Sequence, residues 1–243
     1  MTSDKHQNRE LELQGQRSLQ TSGGSSLVTR HSTLFLASSN PGKLREFSAA
    51  ARARNVCVEV MPGFAQRAVC VEDGTTFEEN ARKKALHYSR SSPGLIFADD
   101  SGICVEALDG APGVYSARYA GPQATDQQNN ERLLADLHKV EDRRRTHAAR
   151  SPGPRGGFNR AAHYMCVIAL AEAGQVLTVV EGRADGLILD EPRGTGGFGY
   201  DPYFFYPPLG KTFAEIDPEE KFAVSHRGAA FRKLLDYLSR LSS

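Results

Sequence analysis

The sequence lacks the features that mark several common classes of protein. Its four cysteines, Cys57, Cys70, Cys104 and Cys166, include no CxxC or CxxH spacing, so we expect neither a zinc site nor a disulfide framework. No stretch is long and apolar enough to span a bilayer. A formal net charge of +1 favours neither nucleic acid nor a membrane surface as the main partner. We therefore expect a cytoplasmic protein whose thiols stay reduced.

What is present is typical of a globular enzyme, with 40% hydrophobic and 24% charged residues. Strands and helices alternate early in the chain and strands dominate later, which predicts an α/β fold with a mixed central β-sheet flanked by helices. Residues 1–32 are rich in Ser, Gln and Arg and lack the apolar core of a signal peptide, so we expect a disordered tail. The folded domain should then occupy residues 33–243. Within it, the Arg-, Ser-, Pro- and Gly-containing stretch 141–160 predicts a flexible, exposed insertion.

The first candidate site lies where a short apolar strand, residues 33–37, meets a helix. Asn40 is a suitable N-cap and Pro41 a suitable first helical residue. Such a junction leaves backbone N–H groups unpaired, and Lys43 adds a full positive charge, so the segment can bind an anion. It is not a Walker A loop, because Ala37 stands where that motif requires glycine. An ordinary capped helix with a surface lysine is the alternative.

The second candidate site is the pair Asp99 and Asp100, which follows a strand predicted at residues 95–98. Two adjacent carboxylates are costly unless positive charge lies beside them, and a hard cation such as Mg²⁺ would supply it. Glu72 is a further candidate ligand. We expect the strand to end at this pair and residues 103–108 to pair back as a hairpin. A polar turn without chemistry is the alternative.

Two later segments also combine suitable residue types. The glycine-rich loop 194–201 contains Phe198, which could stack on a base, and glycines there allow a close backbone approach to a ligand. His226 and Arg227 stand at the start of a helix that Ser225 caps, as donors for a keto oxygen or a phosphate. Each segment could equally be an ordinary loop or a solvated helix end.

The other predicted elements follow from capping and periodicity. A capping box from Thr76 to Glu79 starts a helix that runs to about Tyr88 and places Asn80 and Lys84 on one face. The remaining predictions are a helix over residues 125–140, strands over 162–171, 175–189 and 203–206, and an amphipathic helix from about residue 226.

Taken together, these segments resemble the inosine triphosphate pyrophosphatase family, which acts on damaged purine nucleotides. The resemblance extends from residue 33 to about 241, in the family's order and approximate spacing. It is carried by Ser38–Lys43, Glu72–Ala81, Ala98–Gly102, Gly113–Tyr119, Gly197–Pro202 and Ser225–Gly228. It implies a fold of two lobes with the active-site cleft between them, a homodimer, and Mg²⁺-dependent hydrolysis of ITP, dITP and XTP to the monophosphate and pyrophosphate.

The resemblance also implies roles for individual residues. Glu72 and Asp100 would hold Mg²⁺, with Asp100 also the proton acceptor and Asp99 a second catalytic residue. Ser38 to Lys43, together with Lys84 and Lys221, would cradle the triphosphate. Residues 198–201 would hold the base and ribose, and His226 and Arg227 would read the 6-keto group. The implied substrate-binding residues are Ser38, Ser39, Asn40, Pro41, Gly42, Lys43, Lys84, Ser101, Phe198, Gly199, Tyr200, Asp201, Lys221, His226 and Arg227.

The sequence departs from the family in two places and leaves two rival functions open. Ser38 stands where members often carry Thr, which keeps the hydroxyl, and the stretch 141–160 is longer than the usual connection. One rival is a related pyrophosphatase that prefers modified pyrimidine or methylated nucleotides. The other is binding of nucleic acid or a partner by the Arg run at 143–160. Because Phe158 is the only aromatic platform in that run, we do not expect nucleic acid as a partner.

Overall fold

A computed structural model of the chain describes residues 33–52, 54–148 and 159–241. The predicted tail, residues 1–32, and the central part of the predicted insertion, residues 149–158, lie outside the described residues. Among the helices that are described, none has the length and apolar character needed to cross a membrane.

A mixed sheet of seven strands forms the centre of the fold, as the sequence predicts. The strands are β1 (Thr33–Leu36), β2 (Cys57–Val60), β3 (Ile96–Val105), β4 (Ala161–Glu172), β5 (Gln175–Ile188), β6 (Phe204–Tyr206) and β7 (Lys211–Thr212). Their order is β2-β1-β3-β4-β5-β6-β7; β1 runs parallel to β2 and β3, and the later pairs are antiparallel. The helices are α1 (Pro41–Arg52), α2 (Phe77–Ser89), α3 (Asp126–Ala148), α4 (Pro218–Val224) and α5 (His226–Leu241).

The predicted caps start the helices that matter for the site. The Asn40 side chain accepts hydrogen bonds from the N–H groups of Gly42 at 2.8 Å and Lys43 at 3.2 Å. Thr76 forms the complete capping box with Glu79, and the Ser225 hydroxyl accepts from the N–H of residue 228 at 3.2 Å. These interactions fix where α1, α2 and α5 begin, because each satisfies N–H groups that have no partner inside the helix.

Alternation along β3 distributes the core over two faces of the sheet. Phe97 packs with buried residues of α1 and α5, and Ile103 and Val105 pack with those of α3 and β6. Ile96 and Ala98 point the other way and pack against α2. The pairing of β1 with β3 ends at Phe97. Beyond Phe97, β4 is the strand that pairs with β3, and the opposite edge of β3 has no strand beside it in the described structure. The space left at the end of β1 becomes the cleft described below.

The prediction that β3 ends at the aspartate pair is wrong. The strand continues to Val105, and all its residues are in register with β4, from Ile96 opposite Ala171 to Val105 opposite Ala162. Residues 106–108 form a 3₁₀ turn and do not pair back on the strand, and the chain turns back only through an isolated antiparallel bridge between Cys104 and Pro112. The physical reason is that β4 supplies backbone partners along the full length of β3. The aspartates are therefore part of the sheet.

The predicted loop at 141–160 is also wrong for its first eight residues, which continue α3 to Ala148. Glu141 accepts from Arg145 one turn later at 3.0 Å and from Arg160 at 3.2 Å. Arg160 in turn lies 2.6 Å from Asp190, which ties this part of α3 to the strands. Arginine is a good helix former, so a run of arginines extends the helix unless Gly or Pro interrupts it.

The packing of α5 on β5 requires a glycine at position 182. A Cβ added there would overlap the backbone carbonyl oxygen of His226 and the backbone nitrogen of Ala230. We expect Gly182→Ala to lower the free energy of unfolding by about 1–3 kcal/mol, because the first turn of α5 must move away from the sheet. Thermal melting measures the effect, with Glu181→Ala, an exposed neighbour, as the control. An unchanged melting temperature would show that α5 can shift without cost.

Candidate active site

A cleft of about 610 Å³ collects most of the predicted site residues. Its walls come from the N-terminal ends of α1 and α5, from α2, from the middle of β3 and from the loop before β6. Two of the predicted residues, Pro41 and Gly42, do not line it. The predicted residues that do line it are Ser38, Ser39, Asn40, Lys43, Glu72, Lys84, Asp99, Asp100, Ser101, Phe198, Gly199, Tyr200, Asp201, Lys221, His226 and Arg227.

Asp99 is fully buried on the face of the sheet that α1 and α5 cover. Its Oδ2 atom lies 2.8 Å from the Lys43 ammonium, accepts a hydrogen bond from the Ser101 hydroxyl at 3.2 Å, and is 3.8 Å from Nε of Arg227. Burial alone would raise the pKa of Asp99, but the charges of Lys43 and Arg227 hold that pKa below its ordinary value. Asp99 is therefore ionised and tied to two cations.

Asp100 points to the opposite face, towards α2. Its Oδ2 atom accepts from the Asn80 amide at 3.0 Å, and its Oδ1 atom lies 3.4 Å from the Lys84 ammonium. Glu72 reaches the same ammonium at 3.1 Å. Burial raises the pKa of Asp100. Burial would lower the pKa of Lys84, but Asp100, Asp99 and Glu72 together raise it above its ordinary value.

Glu72 and Asp100 form a donor set that suits Mg²⁺. Mg²⁺ is usually held by one or two carboxylates together with waters and substrate phosphates, so a closed cage of protein ligands is not needed. In the part of the chain that the structure describes, no group of three or more His, Cys, Asp or Glu side chains could hold a metal ion. The carboxylates of Glu72 and Asp100, which both reach the Lys84 ammonium, fit a site in which waters and substrate phosphates complete the metal's coordination.

At the start of α1 the structure differs from the prediction of unpaired N–H groups. Asn40 occupies the N–H groups of Gly42 and Lys43, and the N–H of Leu44 bonds to the Asn40 carbonyl oxygen at 3.2 Å. Pro41 has no N–H to offer. The positive character of this segment therefore comes from the Lys43 side chain and the helix dipole. The backbone N–H groups at the start of α1 already have partners in the cap.

A partly buried carboxylate, Glu46, links the cations on the other side of the cleft. Its two oxygens lie 3.1 Å from the Lys221 ammonium and 2.5 Å from the Arg227 guanidinium. Lys221 also contacts Asp201 at 2.7 Å, and Arg227 donates to the Ser101 hydroxyl at 3.0 Å. Burial would raise the pKa of Glu46, but Arg227 and Lys221 lower it below its ordinary value. The network holds both cations in fixed positions.

Phe198 lies against this network. The Lys221 ammonium is 5.1 Å and the Arg227 guanidinium 5.3 Å from the centre of its ring, within the range of cation–π contacts. A Cβ on Gly42 would lie 3.0 Å from the same ring, so glycine lets α1 pack closely on Phe198. Although Gly42 does not line the cleft, it helps to place an aromatic residue that does.

His226 lies beneath Tyr164, with the two rings stacked at 4.5 Å and 7°. Burial lowers the pKa of His226 well below its ordinary value, so its imidazole is neutral. Among the described residues, no hydrogen-bond partner reaches its Nδ1 atom. A neutral imidazole with a free nitrogen can still donate or accept one hydrogen bond.

The sequence analysis did not identify Tyr164, which lines the cleft, or Glu46, which holds two of its cations in place. It also did not predict α4, the helix that carries Lys221. Glu46 follows Lys43 by three residues on α1, a spacing that puts both on one helix face and could have drawn attention to it. Asp217 caps α4 by accepting from residues 219 and 220, another local pattern. Tyr164 stacks on a residue 62 positions away, and nothing local indicates that.

Comparisons with known proteins show what this chain is similar to. A model described as the Ham1 family matches residues 34–151 and 154–237. A dITP/XTP pyrophosphatase of Acidobacterium capsulatum is 46% identical over 212 residues, 84% of this chain and 96% of that protein. The structure of a HAM1 protein from Coxiella burnetii has a TM-score of 0.71 and 37% identity over 86% of this chain and 98% of that chain. A nucleoside-triphosphatase / dITP/XTP pyrophosphatase from Mycobacterium abscessus has a TM-score of 0.62 and 37% identity over 84% and 98%.

Proposed function

The chain belongs to the Ham1 family, and from that premise we propose that it is a pyrophosphatase that cleaves deaminated purine nucleoside triphosphates, namely dITP, ITP and XTP, to the monophosphate and pyrophosphate. One observation carries the proposal: a single cleft places Asp100 and Glu72 around Lys84 on one face of β3, and Lys43, Lys221 and Arg227 on the other. Cations for a triphosphate, carboxylates for a metal and a water, and the Phe198 ring for a base thus line one cleft.

In the proposed reaction, a water oxygen forms a bond to the α-phosphorus. The bond from that phosphorus to the oxygen that bridges it to the β-phosphate breaks, and pyrophosphate leaves. Asp100 accepts the proton that the water loses. Lys43 and Lys84 bring positive charge to the phosphate oxygens, where negative charge increases during the reaction. When bound by Glu72 and Asp100, Mg²⁺ supplies further positive charge to the phosphates.

Base selection rests on donors that face the purine 6-position. Arg227 presents only N–H donors, which pair with the keto oxygen of hypoxanthine or xanthine. The amino group of adenine would leave such donors unpaired, at a cost of about 1–3 kcal/mol per buried group. Phe198 offers the stacking face for the same base. Guanine keeps the 6-keto group, so it must be rejected elsewhere in the cleft.

The test is a panel of ITP, dITP, XTP, GTP and ATP, assayed for pyrophosphate and for orthophosphate with Mg²⁺ present. We expect pyrophosphate from the first three, with kcat/KM at least about tenfold above that for ATP. Pyrimidine and methylated nucleotides belong in the same panel, because they separate the related pyrophosphatases. Orthophosphate as the product, or equal rates for ITP and ATP, would refute the proposal.

Arg227→Ala should reduce discrimination between bases. Loss of one charged hydrogen bond is worth about 1.5–3 kcal/mol, so kcat/KM for ITP should fall by about one to two decades while that for ATP falls less. Arg232→Ala, which removes an exposed arginine of the same helix, is the control. If both substrates slow by the same factor, Arg227 serves the phosphates and base selection belongs to residues 198–201.

The remaining expectations concern assembly and surroundings. We propose a homodimer, which the resemblance to the pyrophosphatase family supports, and sedimentation or light scattering tests it. A cytoplasmic location agrees with four cysteines that are all free thiols in the described structure.

A further inference from the structure

The first turn of α3 holds the Phe198 loop, and its residue Asp126 lines the cleft beside that loop. The Asp126 carboxylate accepts a hydrogen bond from the N–H of Gly199 at 2.6 Å. One turn later, the Asn130 amide donates to the carbonyl oxygen of the same glycine at 2.9 Å. Both backbone groups of Gly199 are thus bonded to side chains of one helix, about 70 residues earlier in the chain.

The conformation of Gly199 makes this double contact possible. Its φ is +64°, in the left-handed region that glycine adopts without strain. The preceding N–H, that of Phe198, donates to the Asp201 carboxylate at 2.8 Å. Hydrogen bonds to Asp201 and to two side chains of α3 therefore fix the backbone of Phe198 and Gly199.

The same end of α3 also braces the facing wall of the cleft. The Asn129 amide accepts from the N–H of Ala120 at 2.9 Å and donates to the carbonyl oxygen of Ala117 at 3.3 Å. Asn129 is 3% exposed and Asn130 is 6% exposed, so water replaces neither set of hydrogen bonds easily. One helix end thus bonds to both walls of the cleft.

From these contacts we infer that Asp126 and Asn130 are positioning residues that fix the stacking face of Phe198 and so set the affinity for the purine base. The inference rests on the proposed function, because it takes the Phe198 side of the cleft as the base site. Phe198 touches Gly42, Lys221 and Arg227, so a small shift of the loop changes the space that a base can occupy. The phosphate groups that Lys43 and Lys84 bind should respond less to that shift than the base does.

The experiment compares Asp126→Ala, Asp126→Asn and Asn130→Ala with Gln127→Ala, which lies on the same turn but bonds to Glu131 at the surface. Calorimetry measures binding of IMP and of pyrophosphate, and steady-state kinetics gives KM and kcat for ITP and dITP. We expect each alanine variant at 126 or 130 to raise KM, and the dissociation constant of IMP, about three- to tenfold. kcat and pyrophosphate binding should stay within about twofold, and Asp126→Asn, which can still accept from Gly199, should behave like the unaltered protein.

Three outcomes would overturn the inference. IMP binding could be unchanged in Asp126→Ala and Asn130→Ala although the unaltered protein hydrolyses ITP. Alternatively, IMP and pyrophosphate could weaken together, which would indicate a general loss of structure. Finally, the effect could appear with ITP but not dITP, which would mean that Asp126 contacts the ribose 2′-hydroxyl itself. Absence of ITP hydrolysis by the unaltered protein would instead refute the proposed function, and IMP binding would still test the positioning role.

Discussion

Asp100→Asn should reduce kcat/KM for ITP by about 10²–10⁴-fold, the usual contribution of a general base, while the protein remains folded. The amide keeps the shape of the side chain but cannot accept a proton from water, and it withdraws a negative charge from the donor set for Mg²⁺. Lys84 would keep Glu72 as a partner at 3.1 Å, so the substitution does not leave that ammonium unpaired. The loss should therefore appear in turnover and not in the melting temperature.

The matched control is Asp73→Asn, one residue after Glu72. The Asp73 carboxylate is exposed and pairs with Lys83 at the surface, so its neutralisation should change the rate by less than about twofold. Pyrophosphate release at saturating and at low ITP measures both variants. Turnover close to that of the unaltered protein in Asp100→Asn would remove Asp100 from the catalytic role.

Removal of divalent cations should have the other large effect, and EDTA should bring pyrophosphate release down to the background rate. Without a cation, the negatively charged triphosphate would approach Asp100 and Glu72 with only lysines to offset the repulsion. Added Mg²⁺ should restore the full rate. Undiminished turnover in EDTA would exclude the metal.

Substitution of Glu72 tests its role as a Mg²⁺ ligand separately from that of Asp100. Glu72→Gln should shift the Mg²⁺ concentration for half-maximal rate upwards about tenfold or more, because one of two carboxylate ligands is lost. Glu78→Gln is the control, since that carboxylate pairs with Arg82 on the exposed side of α2. A Mg²⁺ requirement that does not change in Glu72→Gln would mean that Asp100 holds the metal with other ligands.

Local chemistry predicted the parts of the fold that local interactions determine. Asn40, Thr76 and Ser225 start their helices through hydrogen bonds that span two or three residues, so a short stretch of sequence contains the whole interaction. The sequence around these helix starts also contains many of the predicted residues that line the cleft. The prediction failed where a distant partner decides the outcome. β3 continues past Asp99 because β4, about 60 residues later, pairs with it.

Glu46 and Tyr164, which escaped prediction, show the same dependence on distance. Glu46 matters because Lys221 and Arg227 reach it from 175 and 181 residues away. The prediction of a loop over the arginine-rich stretch 141–160 failed for another reason. The Pro and Gly residues of that stretch begin only after the first four arginines, so composition averaged over 20 positions concealed a helical first part.

The course of β3 through the site has a consequence for how the chain can vary in length. Asp99 and Asp100 meet different lysines because neighbouring residues of a strand face opposite sides of the sheet. One residue inserted or deleted between Ile96 and Asp99 would exchange the sides, so that each carboxylate would face away from its present lysine. Two deletions would restore the sides but move both carboxylates along the strand by nearly 7 Å. The spacing between this strand's apolar half and its acidic half therefore admits no change in length, whereas the surface turns on either side can lengthen freely.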